Sequence, residues 1–471
     1  MENFDLLIIG GGPAAVTIAK TIQDKMKVAI IRPEDHSMIY CAMPYAIEKL
    51  ISLEKTLKED TVVTNEKVEL IRDKVISVNF ENKTVATEKN IIISYDKLVI
   101  ATGANPILPP IEGHDLNNVM TFKTEENLRE IMTKVDNGLK KAVIIGAGAI
   151  GIELAQALNE RNVETHLVDM AKHVLPNMVD TEMIKEAQES LVKSGINLHL
   201  ESKVEALKGT KTVKEVILGE NQSIKFNLSD NTNSSDGEEI PGLVVFAVGM
   251  KPNVQMFNNT NLKIERDGIV VNNKMETNIN DVYAVGDCCQ FTSGITGEVL
   301  SGKLATNAVP MGKILAQNIL GKNTVYSGFF NGAATKINDY FIGGTGFSEE
   351  AAKRFFDIET GNANLTTAFP IMPSAKKVKL KLIVDSKTRK VVGGQFISGM
   401  PVADKVDQIT MAIQYGITID QLASFSYSSQ PYQSFYPANN LIIKAAEEIL
   451  KKLDNKQTKL EEDILTSVCA N

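Results

Sequence analysis

The amino-acid sequence predicts an α/β fold in which two similar nucleotide-binding domains are joined to a C-terminal α+β domain. Two observations support this prediction. An apolar run, Leu6 to Ile9, leads into the glycine-rich segment 10–15, and a second apolar run leads into another glycine-rich segment at 146–151. From about Ser327 the pattern changes to short alternating strands and two helices. A strand, a tight glycine turn and a helix start together form the pyrophosphate site of a Rossmann-like domain, so we expect two such domains and two bound nucleotides.

Length and composition narrow the class of protein. A chain of 471 residues is too long for one core, and its 43% hydrophobic and 23% charged residues are ordinary for a globular protein. The net charge of −8, without a basic stripe, argues against nucleic acid as a partner. No apolar run approaches the ~20 residues of a membrane span, so no membrane partner is expected. The first strand begins by Leu6, which leaves no room for a signal peptide.

Cysteine usage indicates a reducing compartment. The four cysteines, Cys41, Cys288, Cys289 and Cys469, are too few for a disulfide framework, which favours the cytoplasm. None forms a CxxC pair, and the chain has only five histidines, so we expect no metal site. The neighbours Cys288 and Cys289 are predicted to be two buried thiols, because a disulfide between adjacent residues needs a strained ring. Cys469 is interpreted as an incidental cysteine and not as a resolving partner of Cys41.

The elements follow in order along the chain. The first unit has a helix through Lys20, a strand at Val28–Ile31 and a buried strand that ends at Gly103; a proline-rich stretch at 105–110 then connects it to the second unit. The second unit is predicted to contain a strand at 165–168, a polar low-complexity loop at 229–239 and a buried strand at 243–248. A strand at 281–287 then returns to the first unit and is followed by a helix at about 304–320. The C-terminal unit is predicted to contain strands at 378–384 and 391–397, helices at 404–415 and 441–453, and a charged, loosely held helix or tail at 454–471.

The first glycine motif carries the residue types that a pyrophosphate site needs. Gly10 makes the turn, and Gly12 lets the backbone approach the pyrophosphate. Ala15 takes the third position, where a small residue packs the helix against the strand, while Pro13 and Ala14 open the helix. A plain glycine turn without a ligand is the alternative interpretation.

An acid usually ends the second strand of such a unit and holds a ribose hydroxyl. In the first unit Arg32 occupies that position. Either Glu34 or Asp35 reaches the ribose instead, or the contact is absent.

The second glycine motif is complete. Gly146, Gly148 and Gly151 have the required spacing, with Ile150 at the helix start, and Asp169 follows 23 residues after Gly146. A carboxylate at this position accepts hydrogen bonds from the ribose hydroxyls and repels a 2′-phosphate. The motif therefore predicts NADH, with NADPH disfavoured. A capping or surface aspartate is the alternative.

Cys41 lies in the segment 37–47, which is predicted to start a helix with Cys41 in its first turn. The N-terminus of a helix stabilises a thiolate, which is the reactive form of cysteine. From these residues alone, however, a buried and inert cysteine is the favoured interpretation, because free cysteines are often core residues.

Taken together, the two glycine turns, Ala101-Thr102-Gly103, Ala284–Asp287 and Cys41-Ala42-Met43-Pro44-Tyr45 resemble the flavin-dependent pyridine nucleotide–disulfide oxidoreductases. The resemblance runs from Leu6 to about Leu450. Within that family, the chain is most similar to the single-cysteine branch of NADH oxidases, NADH peroxidases and coenzyme A-disulfide reductases.

The resemblance implies which residues bind each cofactor. FAD would lie on the first glycine turn, with Asp287 bonded to its ribitol and the turn at 101–103 closing over it. NADH would lie on the second turn, with Glu153 near the nicotinamide. The residues implied for FAD are Gly10, Gly12, Pro13, Ala14, Ala15, Arg32, Ala101, Thr102, Gly103, Gly286, Asp287, Ala305 and Thr306. Those implied for NADH are Gly146, Gly148, Ile150, Gly151, Asp169 and Gly249.

The same resemblance implies how the enzyme works. Cys41 would lie against the flavin and cycle through a disulfide, persulfide or sulfenic acid. Tyr432 matches a tyrosine of coenzyme A-disulfide reductases, although Gln430 replaces the proline two residues before it. Pro13 stands where oxygen- and peroxide-handling members carry a histidine, which disfavours those acceptors.

These inferences give one expected organisation and one expected reaction. The FAD-binding domain would comprise residues 1–120 and 275–326, the NADH-binding domain 121–274, the dimerisation domain 327–453 and the tail 454–471. The expected protein is an FAD enzyme and homodimer that passes electrons from NADH through Cys41 to coenzyme A disulfide, persulfide or polysulfide. Three alternatives stay open: an NADH oxidase that reduces oxygen, a ferredoxin-reductase-like electron-transfer flavoprotein, and a non-catalytic nucleotide sensor.

Overall fold

A computed structural model describes residues 2–63, 67–219, 222–226 and 242–469. Its strands are β1 (Glu2–Ile9), β2 (Val28–Arg32), β3 (Ser37–Met38), β4 (Leu57–Lys58), β5 (Val68–Arg72), β6 (Val75–Asn79), β7 (Thr84–Thr87), β8 (Ile92–Ile100), β9 (Ala104–Pro106), β10 (Val119–Thr121), β11 (Lys141–Ile145), β12 (Glu164–Val168), β13 (Asn197–His199), β14 (Val204–Gly209), β15 (Val213–Leu218), β16 (Ser223–Lys225), β17 (Leu243–Phe246), β18 (Met250–Pro252), β19 (Ile264–Glu265), β20 (Gly268–Ile269), β21 (Val282–Ala284), β22 (Phe291–Thr292), β23 (Val299–Leu300), β24 (Ala333–Ile337), β25 (Tyr340–Gly346), β26 (Ile358–Thr366), β27 (Lys377–Asp385) and β28 (Val391–Ser398).

The helices are α1 (Pro13–Ile22), α2 (Met43–Ile47), α3 (Asp60–Val63), α4 (Glu125–Asp136), α5 (Ala149–Glu160), α6 (Thr181–Lys193), α7 (Ala305–Ile319), α8 (Glu349–Ala352), α9 (Ala403–Gln414), α10 (Ile419–Ala423) and α11 (Leu441–Cys469). They and the strands fall into two compact units. The first comprises residues 1–146, 160–164 and 204–329, and the second comprises residues 147–159, 165–203 and 330–471. No helix of the described ranges is both long and apolar enough to cross a bilayer.

The first unit is built on a seven-stranded sheet in the order β5-β2-β1-β8-β7-β6, with β21 also paired to β8. Strands β5, β2, β1, β8 and β21 run parallel, and every residue of β2 is buried. Such strands read as continuous apolar runs because helices cover both faces of a parallel sheet. Strand β21 pairs Val282 with Leu98, which confirms the predicted return of the chain to this unit.

Helices α1 and α7 pack closely at the carboxyl end of this sheet. A Cβ atom at Gly312 of α7 would lie 2.9 Å from the carbonyl oxygen of Ala14 in α1. Ala15 is fully buried, as expected of the position that packs the helix on the strand. In this way small residues bring the two helix N-termini, and the turns before them, into one region of the unit.

The second unit contains a five-stranded antiparallel sheet in the order β24-β25-β28-β27-β26. Helix α9 packs on β25 and β28, and α11 packs on β26. This unit also holds helices α5 and α6 and the parallel pair β12 and β13, in which His166 lies opposite Asn197. The residues that follow the second glycine turn therefore share a compact unit with the C-terminal sheet.

The fold class predicted from the sequence is confirmed, and two local predictions need adjustment. The α-helix predicted to contain Cys41 begins only at Met43; Cys41 lies in a preceding 3₁₀ turn, Tyr40–Ala42. Pro44 is the second residue of α2, a position that suits proline because no backbone N–H is needed there. The C-terminal helix continues to Cys469, since residues 454–469 are rich in helix-forming Lys, Glu and Leu.

Two other predictions concern loops and thiols. The polar loop predicted at 229–239 lies outside the described residues. Cys288 and Cys289 are both buried free thiols whose sulfur atoms lie 3.9 Å apart, which confirms that they do not form a disulfide. Burial raises the pKa of the Cys289 thiol, whereas the hydrogen bond with Cys289 lowers the pKa of the Cys288 thiol.

Candidate functional site

The turn at 10–12 has the geometry of a phosphate-binding loop. Gly10 has φ +107°, and its N–H donates to the carbonyl oxygen of Ile31 at 2.8 Å. A Cβ atom at Gly10 would lie 2.2 Å from the carbonyl oxygen of Ala101, so only glycine fits. At Gly12, by contrast, a Cβ atom would meet no atom of the described residues within 4 Å. The backbone at Gly12 therefore faces open space just before the N-terminus of α1, as a bound pyrophosphate requires.

Arg32 is buried and held in place by two side chains. Its Nη2 donates to Oδ1 of Asp60 at 2.8 Å, and its Nη1 donates to the hydroxyl of Ser37. Within the described residues its Nε has no hydrogen-bond partner. A Cβ atom on Gly11 would lie 2.5 Å from Cδ of Arg32, so this guanidinium lies directly against the glycine turn. The alternatives Glu34 and Asp35 are exposed.

Asp287, like Arg32, has a buried polar atom that is available to a ligand. Its Oδ1 is buried and, in the described part of the chain, accepts no hydrogen bond. Burial raises the pKa of this carboxyl, while the charges of Lys123 and Lys303 act in the opposite direction. A buried acceptor without a donor is costly, so this atom fits a ligand hydroxyl such as one of the FAD ribitol. Gly286, with φ +76°, makes the turn that directs Asp287 inward.

The turn at Ala101–Gly103 is fixed by Asn253. The Thr102 hydroxyl donates to the carbonyl oxygen of Asn253 at 2.6 Å. The N–H of Asn253 in turn donates to the carbonyl oxygen of Gly103 at 2.9 Å. Asn253 comes directly after β18, which pairs with β9, and Gly249 makes the turn before β18 with φ +112°. The carbonyl oxygen of Gly249 accepts the N–H of Ile107 at 3.0 Å, and the predicted role of Gly249 in cofactor binding stays a prediction.

Helix α7 begins at Ala305, as the sequence predicts, with Thr306 in its first turn and Leu304 as the residue before it. No side chain of the described residues caps this N-terminus. Its free N–H groups and the positive end of the helix dipole can therefore face a group that carries negative charge.

Cys41 is an exposed free thiol in the 3₁₀ turn between β3 and α2. The turn is anchored because the N–H of Ile39 donates to the carbonyl oxygen of Thr56 at 2.8 Å. Next to Cys41, the ring of Tyr40 lies 5.6 Å from the ammonium of Lys123. Burial lowers the pKa of Lys123, whereas the charge of Asp287 raises it. Lys123 thus connects the segment of Cys41 electrostatically with the open carboxylate of Asp287.

The second glycine turn repeats the features of the first. Gly146 has φ +111°, and its Cβ atom would lie 2.5 Å from the carbonyl oxygen of Ala247. At Gly148 a Cβ atom would meet nothing within 4 Å in the part of the chain that the structure describes, so this turn also leaves room for a ligand. Ile150 lies in the first turn of α5 and Gly151 is buried behind it.

Asp169 holds the second turn through its carboxylate. Oδ2 accepts the N–H of Ala147 at 2.6 Å, and Oδ1 accepts the N–H of Ala171 at 2.7 Å. Each oxygen keeps a lone pair for a further donor, so the side chain is oriented and still able to accept from a ribose hydroxyl. Of the two alternative interpretations, a surface aspartate does not fit these two bonds, whereas a capping aspartate does, because Oδ1 accepts the N–H of a residue two positions later.

Glu153 lies in α5 and is held by the C-terminal sheet. The Thr335 hydroxyl donates to its Oε1 at 2.7 Å. Burial raises the pKa of the Glu153 carboxyl, and the hydrogen bond from Thr335 opposes this shift. Tyr432 has an exposed ring, 68% accessible in the single chain, and its N–H donates to Oε1 of Gln430 at 2.8 Å.

Sequence reasoning missed several supporting residues. Asn253, Thr335 and Asp60 are hydrogen-bonded to predicted site residues, and the charge of Lys123 acts on Asp287, yet each is distant along the chain from its partner. The only available signal was that Asn253 closely follows the buried strand β17. Contacts of this kind depend on the folded topology and leave no local pattern.

The geometry agrees with the comparisons with known proteins. Residues 4–312 match the family described as pyridine nucleotide-disulphide oxidoreductase, and residues 333–434 match its dimerisation domain. A protein of Methanocaldococcus jannaschii named NADH oxidase is 34% identical over 468 residues, 96% of this chain and 99% of its own. A Pyrococcus furiosus protein named NAD(P)H sulfur oxidoreductase (CoA-dependent) is 29% identical and covers 89% of this chain and 93% of its own.

A solved structure described as an NAD-dependent persulfide reductase from A. fulgidus has a TM-score of 0.86 and 28% identity; the match covers 96% of this chain and 84% of that one. The two open glycine turns, and the Asp287 oxygen that has no partner among the described residues, have a chemistry suited to FAD and NADH. The chain is a member of the pyridine nucleotide-disulphide oxidoreductase family, an NAD(P)H-dependent flavoenzyme that uses FAD and NADH.

Proposed function

We propose that this enzyme reduces a small sulfur acceptor with electrons from NADH and that Cys41 is the residue that reacts with the acceptor. The observation that carries the proposal is the exposure of the Cys41 thiol, in contrast to the buried thiols of Cys288 and Cys289. Pro13 supports the same choice, since it stands where peroxide- and oxygen-handling members carry a histidine.

The site residues have distinct roles in this proposal. FAD would be held by Gly12, Arg32 and Asp287, and when bound it supplies a hydride acceptor that passes two electrons onward. Gly148 and Asp169 would hold the pyrophosphate and ribose of NADH, with Glu153 at the nicotinamide end.

Cys41 then performs the sulfur chemistry. Its thiolate attacks one sulfur of a disulfide or polysulfide, so that a new S–S bond forms and the outer sulfur leaves as a thiol after taking a proton. Two electrons from NADH break the new bond, which releases the second thiol and restores Cys41. One NADH and one proton are consumed for each S–S bond that is reduced.

The names of the relatives support two classes of acceptor. The Pyrococcus furiosus and Pyrococcus horikoshii proteins are named as a CoA-dependent sulfur oxidoreductase and a coenzyme A polysulfide/persulfide reductase. We therefore propose coenzyme A disulfide, coenzyme A persulfide or polysulfide as acceptors, with the reaction in the cytoplasm. Oxygen is the second candidate, because the Methanocaldococcus jannaschii relative is named NADH oxidase.

A panel of acceptors tests the proposal. NADH consumption is measured under anaerobic conditions with coenzyme A disulfide, polysulfide and peroxide, and separately with oxygen. We expect the largest kcat/KM with a sulfur acceptor. A kcat/KM with oxygen that exceeds the kcat/KM with every sulfur acceptor would favour an NADH oxidase instead.

Asp169 is expected to determine the preference for NADH. The variant Asp169→Ala with Met170→Arg removes the charge that repels a 2′-phosphate and adds one that attracts it; Met170 is 70% exposed and has room for arginine. We expect the NADH-to-NADPH ratio of kcat/KM to fall by about a hundredfold. Met170→Arg alone is the control. Equal kcat/KM values for both nucleotides in the wild type would contradict this role.

The C-terminal domain leads us to expect that two copies of the chain form a dimer. Residues 333–434 match a dimerisation domain, and exposed aromatic side chains at Tyr427, Tyr432 and Tyr436 lie in and next to it. We expect a homodimer with an isologous interface that brings Tyr432 near the active site of the other subunit. Sedimentation velocity at micromolar concentration checks this, and a fully active monomer would contradict it.

A further inference from the structure

The connection between Asp169 and helix α6, residues 170–179, runs beside the second glycine turn and is anchored to it. The N–H of Leu175 donates to the carbonyl oxygen of Ala147 at 2.8 Å, and Asp169 accepts the N–H groups of Ala147 and Ala171. Val174 and Val179 are fully buried, so the connection packs as a fixed wall. If the second glycine turn binds NADH as proposed above, this wall borders the adenosine ribose.

The far end of the wall is held by a row of residues that crosses the C-terminal sheet. Gly344 of β25 lies opposite Gln395 of β28, and Gln395 lies opposite Lys381 of β27. Residues directly opposite each other in neighbouring strands point to the same face. Gly344, Gln395 and Lys381 therefore form one line on one face of the sheet, which we call the anchoring row.

Asp180, the residue before α6, gives its carboxylate to this row. An aspartate at that position normally caps the helix, yet within the described residues the Asp180 side chain makes no hydrogen bond to the first turn of α6. Its Oδ2 instead accepts from Nε2 of Gln395 at 2.7 Å and from the Lys381 ammonium at 2.9 Å, while its own N–H donates to Oε1 of Gln395 at 2.8 Å. The carboxylate of Asp180 thus bonds the end of the wall to the C-terminal sheet and does not cap helix α6.

Lys381 is the most constrained member of the row. Its side chain is 2% exposed and contacts three carboxylates, those of Asp180, Glu182 and Glu349. Burial by itself would lower the pKa of this lysine, but the three carboxylates raise it, so the ammonium stays charged. A buried charge of this kind is costly to leave unpaired, which fixes the positions of its partners.

Gly344 completes the row by allowing close backbone contact. A Cβ atom at this position would lie 2.3 Å from the carbonyl oxygen of Met178, near the end of the wall. The side chains of Gln395 and Lys381 and the bare backbone of Gly344 therefore hold residues 178–180 from one side.

We propose that the anchoring row positions the adenosine side of the NADH site, which makes Lys381 and Gln395 positioning residues for nucleotide binding. The inference rests on the proposed NADH site at Gly148 and Asp169. Loosening the row would let the wall move away from the second glycine turn. Affinity for the adenosine half would fall, whereas the chemistry at the nicotinamide end would not change.

The test uses the FAD-loaded enzyme and ADP-ribose, which contains the adenosine half of NADH but carries no hydride. Lys381→Met and Gln395→Met remove the bonds to Asp180 with little change in side-chain volume. Lys379→Met is the matched control: Lys379 lies on the same strand and pairs with Glu186 of the same helix at 2.6 Å, but four residues beyond Glu182 and away from the wall. Calorimetry gives the ADP-ribose affinity, and stopped-flow absorbance gives the rate of flavin reduction by saturating NADH.

We expect both row variants to weaken ADP-ribose binding by about tenfold and to raise KM for NADH equally, with the saturating reduction rate within about twofold of wild type. The Lys379→Met control should match wild type. Row variants that fold, retain FAD and bind ADP-ribose like wild type would overturn the inference. If Lys381→Met fails to fold, Gln395→Met, which leaves no buried charge unpaired, decides alone. Failure of the proposed NADH site is distinguishable, because Asp169→Ala would then also leave the ADP-ribose affinity unchanged.

Discussion

Replacement of Cys41 with serine should abolish the reduction of coenzyme A disulfide and polysulfide, lowering kcat by at least about a thousandfold. A serine hydroxyl occupies the same exposed position in the 3₁₀ turn, but it does not form a bond with the sulfur of the acceptor. Because nothing in the core changes, the variant should fold and bind FAD like wild type. Hydride transfer from NADH to FAD should continue, since that step needs no thiol.

Two readouts separate this role from a structural one. Anaerobic reduction by NADH should give a long-wavelength absorbance band in wild type, from contact between the thiolate and the flavin, and no band in Cys41→Ser. Turnover with oxygen should persist in the variant, since reduced flavin reacts with oxygen without a thiol. Cys469→Ser removes another of the four cysteines and is expected to leave both readouts unchanged.

The opposite result has a clear meaning. If Cys41→Ser reduces every sulfur acceptor as fast as wild type, Cys41 is a surface residue without a catalytic role. An electron-transfer flavoprotein of the ferredoxin-reductase type, which needs no cysteine at this position, would then be the better hypothesis.

The geometry of the two glycine turns was predictable from the sequence because it depends on neighbouring residues. Gly10 and Gly146 both adopt φ above +100°, and each closes a turn within a few residues of its own strand. The conformation of each turn can therefore be predicted almost entirely from the order of an apolar run, glycines and a helix start in the sequence. The position of Asp169 beside the second turn was predictable too, since its spacing from Gly146 is fixed by one helix and one strand, and its role at the ribose stays a prediction.

The supports of the site were not predictable for the opposite reason. Arg32 was considered as a cofactor ligand, but nothing near it in the sequence reveals that Ser37 and Asp60 hold its guanidinium. Asp180 reads as an ordinary helix cap until the sheet brings Gln395 to it, 215 residues away. Such bonds follow from strand order and register, which local patterns do not determine.

Substitution of alanine for either glycine of the first turn should also have a large effect: Gly12→Ala should lower the affinity for FAD, whereas Gly10→Ala should lower the stability of the chain. Gly12→Ala adds a methyl group where the described ranges of the chain place no atom within 4 Å, and the φ of −73° at this position suits alanine. The free energy of unfolding of the apoprotein should therefore change by less than about 0.5 kcal/mol. FAD affinity should fall by about a hundredfold, because the methyl group occupies the space proposed for the pyrophosphate.

Gly10→Ala should instead damage the chain itself. Its Cβ would lie 2.2 Å from the carbonyl oxygen of Ala101, and its φ of +107° is strained for alanine, so we expect the apoprotein to lose about 2–4 kcal/mol of stability. Urea unfolding of the apoprotein and fluorescence titration with FAD separate the two effects. If Gly12→Ala binds FAD as tightly as wild type, the open space at Gly12 does not hold the pyrophosphate, and the assignment of this turn to FAD fails even when Gly10→Ala unfolds.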